Sequence, residues 1–146
     1  MCIRDRLEDE VETAEALAPW AHSVHLKDQA VQLDDDGFLL GDIPLGQGAL
    51  RLKQIVDLLR AARPNVNFTL ELITRDALKV PCLTEQYWAT FPDLPARDLA
   101  RTLRMVRERA TDHLQEVTSL SDEQQVALED ANVRASLDYA RDTLNL

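Results

Sequence analysis

The chain of 146 residues is long enough for one globular domain that buries roughly two thirds of its unfolded surface. With 45% hydrophobic and 29% charged residues its composition is not that of a disordered protein, and no apolar run approaches the ~18 residues of a membrane span. The net charge of -10 disfavours contact with nucleic-acid phosphates or anionic lipid, so neither nucleic acid nor a membrane is expected as a partner.

The two cysteines indicate a reducing compartment. Cys2 and Cys82 lie too far apart in the sequence to suggest a disulfide framework or a metal cluster. The first residues lack the apolar stretch of a secretory signal. We therefore expect a cytoplasmic protein in which Cys82 is a small buried hydrophobic residue.

The first predicted elements are a helix and a strand. Apolar residues recur at helical spacing from Leu7 onward, and Pro19 ends that pattern. A strand is then predicted over 21–27, where alternation places His25 and Lys27 on one face.

A long glycine-containing loop is predicted next, because all four glycines lie between 37 and 48. An apolar stripe predicts a helix from about 49 to 62, and a second strand follows near 67–73 with Glu71 on its polar face. The order of helix, strand, loop, helix and strand is typical of a parallel α/β sheet, since consecutive parallel strands need a crossover. Both strands should therefore run in the same direction.

The remainder is predicted to be a packed loop followed by helices. The stretch 74–95 holds three prolines and an aromatic group, whose members are Tyr87, Trp88 and Phe91. These aromatic side chains could either line a sugar pocket or form a hydrophobic plug. Helical spacing then predicts a helix over about 96–116. A capping box at 121–124 opens an acidic helical tail, which we assign to 118–146.

Glu71 and His25 are the residues most suggestive of chemistry. Both are expected on the polar face of neighbouring parallel strands, where one imidazole and one carboxylate could bind a divalent metal. An ordinary structural explanation fits the same spacing, with Glu71 paired to Lys27 or Arg75 and His25 hydrogen-bonded in the core. The residues alone favour the structural explanation and leave the metal open.

Two further polar residues follow His25. Lys27 shares its face and could reach a substrate oxygen, or it could be a solvated lysine at a strand end. Asp28 could hydrogen-bond the imidazole of His25 on the side away from a metal, or it could start a turn. The Gly46-Gln47-Gly48 segment precedes a helix N-terminus, but two glycines predict a tight turn more than an anion site.

The motifs taken together resemble one enzyme family. Val24-His25-Leu26-Lys27-Asp28, Pro44-Leu45-Gly46-Gln47-Gly48 and Phe68-Thr69-Leu70-Glu71, separated by a helix, resemble the C-terminal part of the sugar phosphate isomerase/epimerase family with a xylose isomerase-like TIM barrel. The resemblance covers about 7–110, and 7–117 is assigned to the barrel part. It implies the fold class α/β, with the two strands as strands 7 and 8 of a (β/α)8 barrel, plus C-terminal helices.

The resemblance also implies a site. Its histidine ligand maps onto His25, and its glutamate, a ligand and acid/base, maps onto Glu71. The implied cofactor is a divalent metal (Mn, Co, Mg or Zn), and the substrate is a small sugar or sugar phosphate whose proton next to a carbonyl moves through an enediolate. Lys27 and Arg75 are assigned to substrate binding, and Asp28 to support of the imidazole.

A barrel needs eight βα units and ~250 residues, so the resemblance implies a fragment that carries half of the metal site. Residues 1–6 look like translated adapter sequence, and the natural part is expected to begin near Leu7. The parent is expected to be the enzyme and the fragment inactive, with two open strand edges that predict self-association into a homo-oligomer.

Other functions stay open. Endonuclease IV shares the barrel, but its Asp-x-His zinc ligands would fall at Leu40 and Asp42, which does not support a trinuclear zinc site. A non-catalytic metabolite-binding or interaction domain would use His25 and Glu71 only structurally. A complete small α/β domain with an acidic interaction tail is the third alternative.

Overall fold

The computed structural model describes residues 8–91 and 93–146 as a mixed α/β chain. The predicted leader, 1–6, lies outside the described residues. The strands are β1 (Ser23–Leu26), β2 (Asp28–Asp34), β3 (Gly37–Ile43), β4 (Asn67–Leu70) and β5 (Leu78–Val80). The helices are α1 (Glu10–Leu17), α2 (Leu52–Ala62), α3 (Glu85–Thr90), α4 (Ala96–Arg109) and α5 (Asp122–Tyr139), with a 3-10 turn at Ala18–Trp20 and a π-helical turn at Ala140–Leu144.

β1 and β4 form a two-stranded parallel sheet, which confirms that the strands predicted near 21–27 and 67–73 run in the same direction. His25 lies opposite Thr69, and Leu26 opposite Leu70. Both strands are shorter than predicted, although the Glu71 amide still donates to the Leu26 carbonyl at 2.8 Å. The helix α2 lies between them in the chain and supplies the crossover that parallel strands require.

The predicted glycine loop is wrong, because 28–43 forms an antiparallel hairpin. β2 pairs with β3 from Asp28–Ile43 to Asp34–Gly37, and β3 pairs in turn with β5. At the turn, the Asp36 amide donates to the Asp34 side chain at 3.1 Å. Gly37 has a φ of +151°, and a Cβ there would meet the backbone of β5. Asp36-Gly37, with alternating apolar residues before it and an apolar run after it, is a hairpin signal that the clustering of glycines obscured.

Two further expectations fail at the C-terminal side. The stretch 74–95, predicted to be irregular, contains both β5 and α3. The helix predicted over 96–116 ends at Arg109 as α4. Beyond it, Ala110 bridges to Val31 and the Thr111 amide donates to the Val31 carbonyl at 2.9 Å, so the chain leaves the helix to run beside β2.

Two hydrophobic clusters support these sheets. The first joins the hairpin and β5 to α4, and its buried members are Val31, Phe38, Leu40, Val80, Cys82 and Val106. The second joins the parallel pair to α2 and the C-terminus through Leu26, Leu45, Leu52, Val56 and Leu144. Cys82 is fully buried, as predicted for a small hydrophobic residue.

The end of the acidic tail packs on the parallel pair instead of lying free in solvent. Leu144 is fully buried, and the Leu45 amide donates to Ser136 Oγ at 3.2 Å. Arg60 on α2 donates to the Leu144 carbonyl at 2.9 Å. The C-terminal residues are therefore part of the second core. No helix within 8–91 or 93–146 has the length and apolarity to cross a bilayer.

Candidate functional site

His25, Lys27 and Glu71 meet at the carboxyl ends of β1 and β4. His25 Nδ1 lies 3.0 Å from Glu71 Oε2, and Lys27 Nζ lies 3.1 Å from Glu71 Oε1. Each oxygen of one carboxylate thus has its own nitrogen partner. The predicted convergence of these residues is found, because parallel strands bring their carboxyl ends to the same edge.

The site is accessible to solvent, so the alternative in which His25 is a buried core histidine is wrong. The side chains of His25 and Glu71 are 63% and 37% exposed, whereas that of Lys27 is 21% exposed. The hydrogen bonds from Lys27 and then His25 hold the pKa of the Glu71 carboxyl below its ordinary value. Glu71 is therefore a charged acceptor at neutral pH, reachable from outside.

The donor set suits a divalent metal but supplies only two ligands. Imidazole nitrogen and carboxylate oxygen are common ligands of Mn, Co and Zn. His25 Nε2 has no hydrogen-bond partner in the described part of the chain, but it lies on the far side of the ring from Glu71, so a metal held by both residues would replace the Nδ1 hydrogen bond. No cluster of three or more His, Cys, Asp or Glu that could hold a metal occurs among residues 8–91 and 93–146.

Asp28 contacts the loop before α2 and makes no hydrogen bond to His25 among the described residues. It is 1% exposed, and its Oδ2 accepts from the amides of Gly46 and Gly48 at 2.9 and 3.0 Å. Its Oδ1 accepts from the amides of Gln29 and Leu50 at 2.9 and 3.2 Å. Burial raises the pKa of Asp28, and these four bonds oppose part of the rise.

The same bonds explain the Gly46-Gln47-Gly48 segment. The amides of both glycines already donate to Asp28, so they are not open to an anion. A Cβ on Gly48 would overlap the Asp28 carboxylate, and Gly46 has a φ of +83°. The segment is the tight turn that the sequence favoured, closed around a buried carboxylate.

The remaining candidates from the sequence are Arg75 and the aromatic group. Arg75 is exposed and forms no ion pair with any residue that the structure describes. Tyr87 and Trp88 pack against the first hydrophobic cluster, and Trp88 Nε1 donates to the Cys82 carbonyl at 3.0 Å. Tyr87 and Trp88 thus cover the hairpin core.

Asp42 is the site residue that the sequence did not indicate. It lies on β3, and its Oδ2 is 3.7 Å from Lys27 Nζ. Its partner across the hairpin, Gln29, donates from Nε2 to Asp42 Oδ1 at 3.0 Å. A correct hairpin assignment would have placed Asp42 beside the start of β2, because the register pairs Asp28 with Ile43.

Comparison of the chain with protein-family models, with curated proteins and with solved structures finds no match in any of the three. The function is therefore inferred from the chemistry and geometry of the site.

The lowered pKa of Glu71 makes the stability of the metal-free chain depend on pH. Because the unfolded state binds this proton at a higher pH than the folded state, the free energy of unfolding falls as the pH drops. The contribution is complete above the ordinary carboxyl pKa of about 4.3 and is lost as the pH falls through the lowered value.

Lys27→Gln should bring the pKa of Glu71 back toward its ordinary value, since Lys27 is the main cause of its lowering. A ¹³C NMR titration of the side-chain carboxyl groups measures this shift, with the exposed Glu85 as internal reference. An unchanged Glu71 pKa in the variant would show that the ion pair is absent in solution.

Proposed function

We propose that the chain is the C-terminal part of a metal-dependent sugar or sugar phosphate isomerase or epimerase with a xylose isomerase-like barrel. In this proposal β1 and β4 are strands 7 and 8. The observation that carries it is the contact of 3.0 Å between His25 Nδ1 and Glu71 Oε2 at the carboxyl ends of adjacent parallel strands. In TIM barrels that end of the strands carries the active site.

His25 and Glu71 would hold the metal in this enzyme, and further ligands would come from other strands of the barrel. A bound divalent metal would polarise the carbonyl and hydroxyl oxygens of a keto-sugar. Lys27, on the same edge, has an ammonium group that can donate to a substrate oxygen. Arg75 is exposed and is retained as a second candidate for substrate binding.

Glu71 would move the proton. Its carboxylate would take a proton from the carbon next to the carbonyl, and the C–H electron pair would form the C=C bond of an enediolate as the carbonyl becomes an oxyanion. Return of the proton to the former carbonyl carbon, with transfer of the neighbouring hydroxyl proton to the oxyanion, gives the isomer. The epimer forms when a second acid, supplied by another strand of the barrel, delivers a proton to the opposite face of the original carbon. Glu71 is ionised at neutral pH and can accept the proton, while its lowered pKa makes it a weaker base than an ordinary carboxylate.

A non-catalytic binding or interaction domain is the second candidate. This candidate is favoured because both carboxylate oxygens of Glu71 already have a partner, His25 for Oε2 and Lys27 for Oε1. Structural ion-pair networks perturb pKa values as catalytic sites do. In that case the three side chains would stabilise the ends of the strands and no proton would be transferred.

Deuterium exchange separates the two candidates. The protein from the complete reading frame would be incubated with Mn²⁺ and a panel of keto-sugars and their phosphates in D₂O. An isomerase or epimerase that works through an enediolate incorporates deuterium at the carbon next to the carbonyl, and NMR detects this together with the new isomer or epimer. Binding of a sugar without any incorporation across the panel would favour the non-catalytic domain.

A further inference from the structure

Asp42 presents a buried carboxylate beside the candidate site. Its side chain is only 2% exposed. One oxygen, Oδ1, accepts a hydrogen bond from Gln29, while Oδ2 has no hydrogen-bond partner among the described residues. A carboxylate withdrawn from water is unfavourable unless a cation compensates its charge. The compensating group must therefore lie close to Oδ2.

Lys27 is that group, and it is shared. Its Nζ lies 3.7 Å from Asp42 Oδ2, within ion-pair range but longer than a hydrogen bond. The same Nζ lies 3.1 Å from Glu71 Oε1. An ammonium has three N–H donors, so it can serve a buried carboxylate, an accessible carboxylate and a third oxygen at once. Lys27 thus lies between Asp42 in the interior and Glu71 at the surface.

We propose that Asp42 is a positioning residue. It holds the Lys27 ammonium at the site from the interior side when Glu71 binds a metal ion. This inference rests on the function proposed above. A metal ion on Glu71 would neutralise the charge that now attracts Lys27 at 3.1 Å. The charge of Asp42 would remain, and a shift of about 1 Å would bring Lys27 to hydrogen-bond distance from Oδ2.

The arrangement has a consequence for metal binding. In the wild-type chain, Lys27 can move from Glu71 to Asp42, so that Glu71 Oε1 becomes available to a metal ion. Without the charge of Asp42, the one carboxylate near Lys27 among the described contacts is that of Glu71. The ammonium then competes with the metal for Glu71. Asp42 would therefore affect metal affinity through Lys27 and not by its own charge.

The first test is a rescue of stability in the metal-free 146-residue chain. Lys27→Gln leaves the buried Asp42 carboxylate without a cation, so it should lower the urea midpoint of unfolding. Adding Asp42→Asn should recover at least half of that loss. The matched control adds Glu71→Gln to Lys27→Gln and should recover little, since Glu71 is accessible to water.

The second test uses Mn²⁺ alone as the probe and measures its affinity by the broadening of His25 NMR signals. Asp42→Asn should weaken Mn²⁺ binding about two- to fivefold, the range that an accessible ion pair is worth. In the Lys27→Gln background the same substitution should change the affinity by less than about 1.5-fold. A direct effect of the Asp42 charge would weaken binding equally in both backgrounds.

Each outcome has one meaning. Rescue together with a Lys27-dependent loss of Mn²⁺ affinity supports the positioning role. Two outcomes overturn it: no rescue of stability by Asp42→Asn, or a loss of Mn²⁺ affinity that persists in the Lys27→Gln background. Rescue of stability without any change in Mn²⁺ affinity also overturns it, because Asp42 would then be only a structural counter-ion. If wild-type His25 shows no Mn²⁺ broadening, the proposed function itself fails. Should Asp42→Asn unfold the chain, Asp42→Thr removes the same charge with a residue that suits a strand.

Discussion

Replacing Glu71 by Gln in the complete protein is expected to lower turnover by about 10²–10⁴-fold, the contribution of a positioned general acid or base. Gln keeps the shape of the side chain and can still accept a hydrogen bond from Lys27, so the fold should be retained. It cannot take a proton from carbon and is a poorer metal ligand than a carboxylate. The measurement is kcat with the sugar that exchanges deuterium.

Glu85→Gln is the matched control for this substitution. Glu85 is an exposed glutamate in the first turn of α3, so its loss should leave kcat within about twofold. Circular dichroism and urea unfolding would show that both variants are folded. A Glu71→Gln variant with unchanged kcat would exclude Glu71 from proton transfer and favour the non-catalytic domain.

Asp28→Ala is expected to destabilise the chain by about 3 kcal/mol, since one buried and three partly buried amides lose their acceptor and a buried donor without a partner costs ~1–3 kcal/mol. Four backbone amides donate to Asp28, and they belong to Gln29 and to the turn that leads into α2. Because a domain has ~5–15 kcal/mol in total, this loss would remove a large fraction of the free energy of unfolding. Urea unfolding at pH 7 measures the loss.

Asp36→Ala is the control for Asp28. Asp36 is also close to a turn, but its side chain is 50% exposed and pairs with Lys79 at the surface. Its loss should cost less than about 1 kcal/mol, as exposed ion pairs contribute little. Asp28→Asn should fall between the two, because the amide keeps one acceptor oxygen and loses the other. Equal stability of Asp28→Ala and Asp36→Ala would refute the role of Asp28.

The parallel strands and the meeting of His25 with Glu71 were predictable from sequence. Alternation placed each residue on the polar face of its strand, and parallel pairing brings the carboxyl ends together. The partner of Asp28 was not predictable in the same way. Its amide donors lie up to 22 residues further along the chain, and only the folded turn brings them to the carboxylate.

The hairpin and Asp42 were missed for a related reason. The clustering of the four glycines predicted one long loop, although Gly41 lies inside β3 and Gly37 begins it. Once 28–43 is a hairpin, its register sets Asp42 opposite Gln29 and near Lys27. The helix from Ala96 was predicted too long because helical spacing continues past Arg109, while pairing of Ala110 with Val31 ends the helix.

The central claim is that His25 and Glu71 form half of a metal site, and Mn²⁺ titration of the 146-residue chain followed by ¹H NMR tests it directly. The chain has three histidines, so His22 and His113 serve as internal controls. We expect selective broadening of the His25 ring signals, abolished by Glu71→Gln, with an affinity weaker than micromolar because two ligands do not complete a site. Equal broadening of all three histidines, or no broadening at all, would contradict the claim.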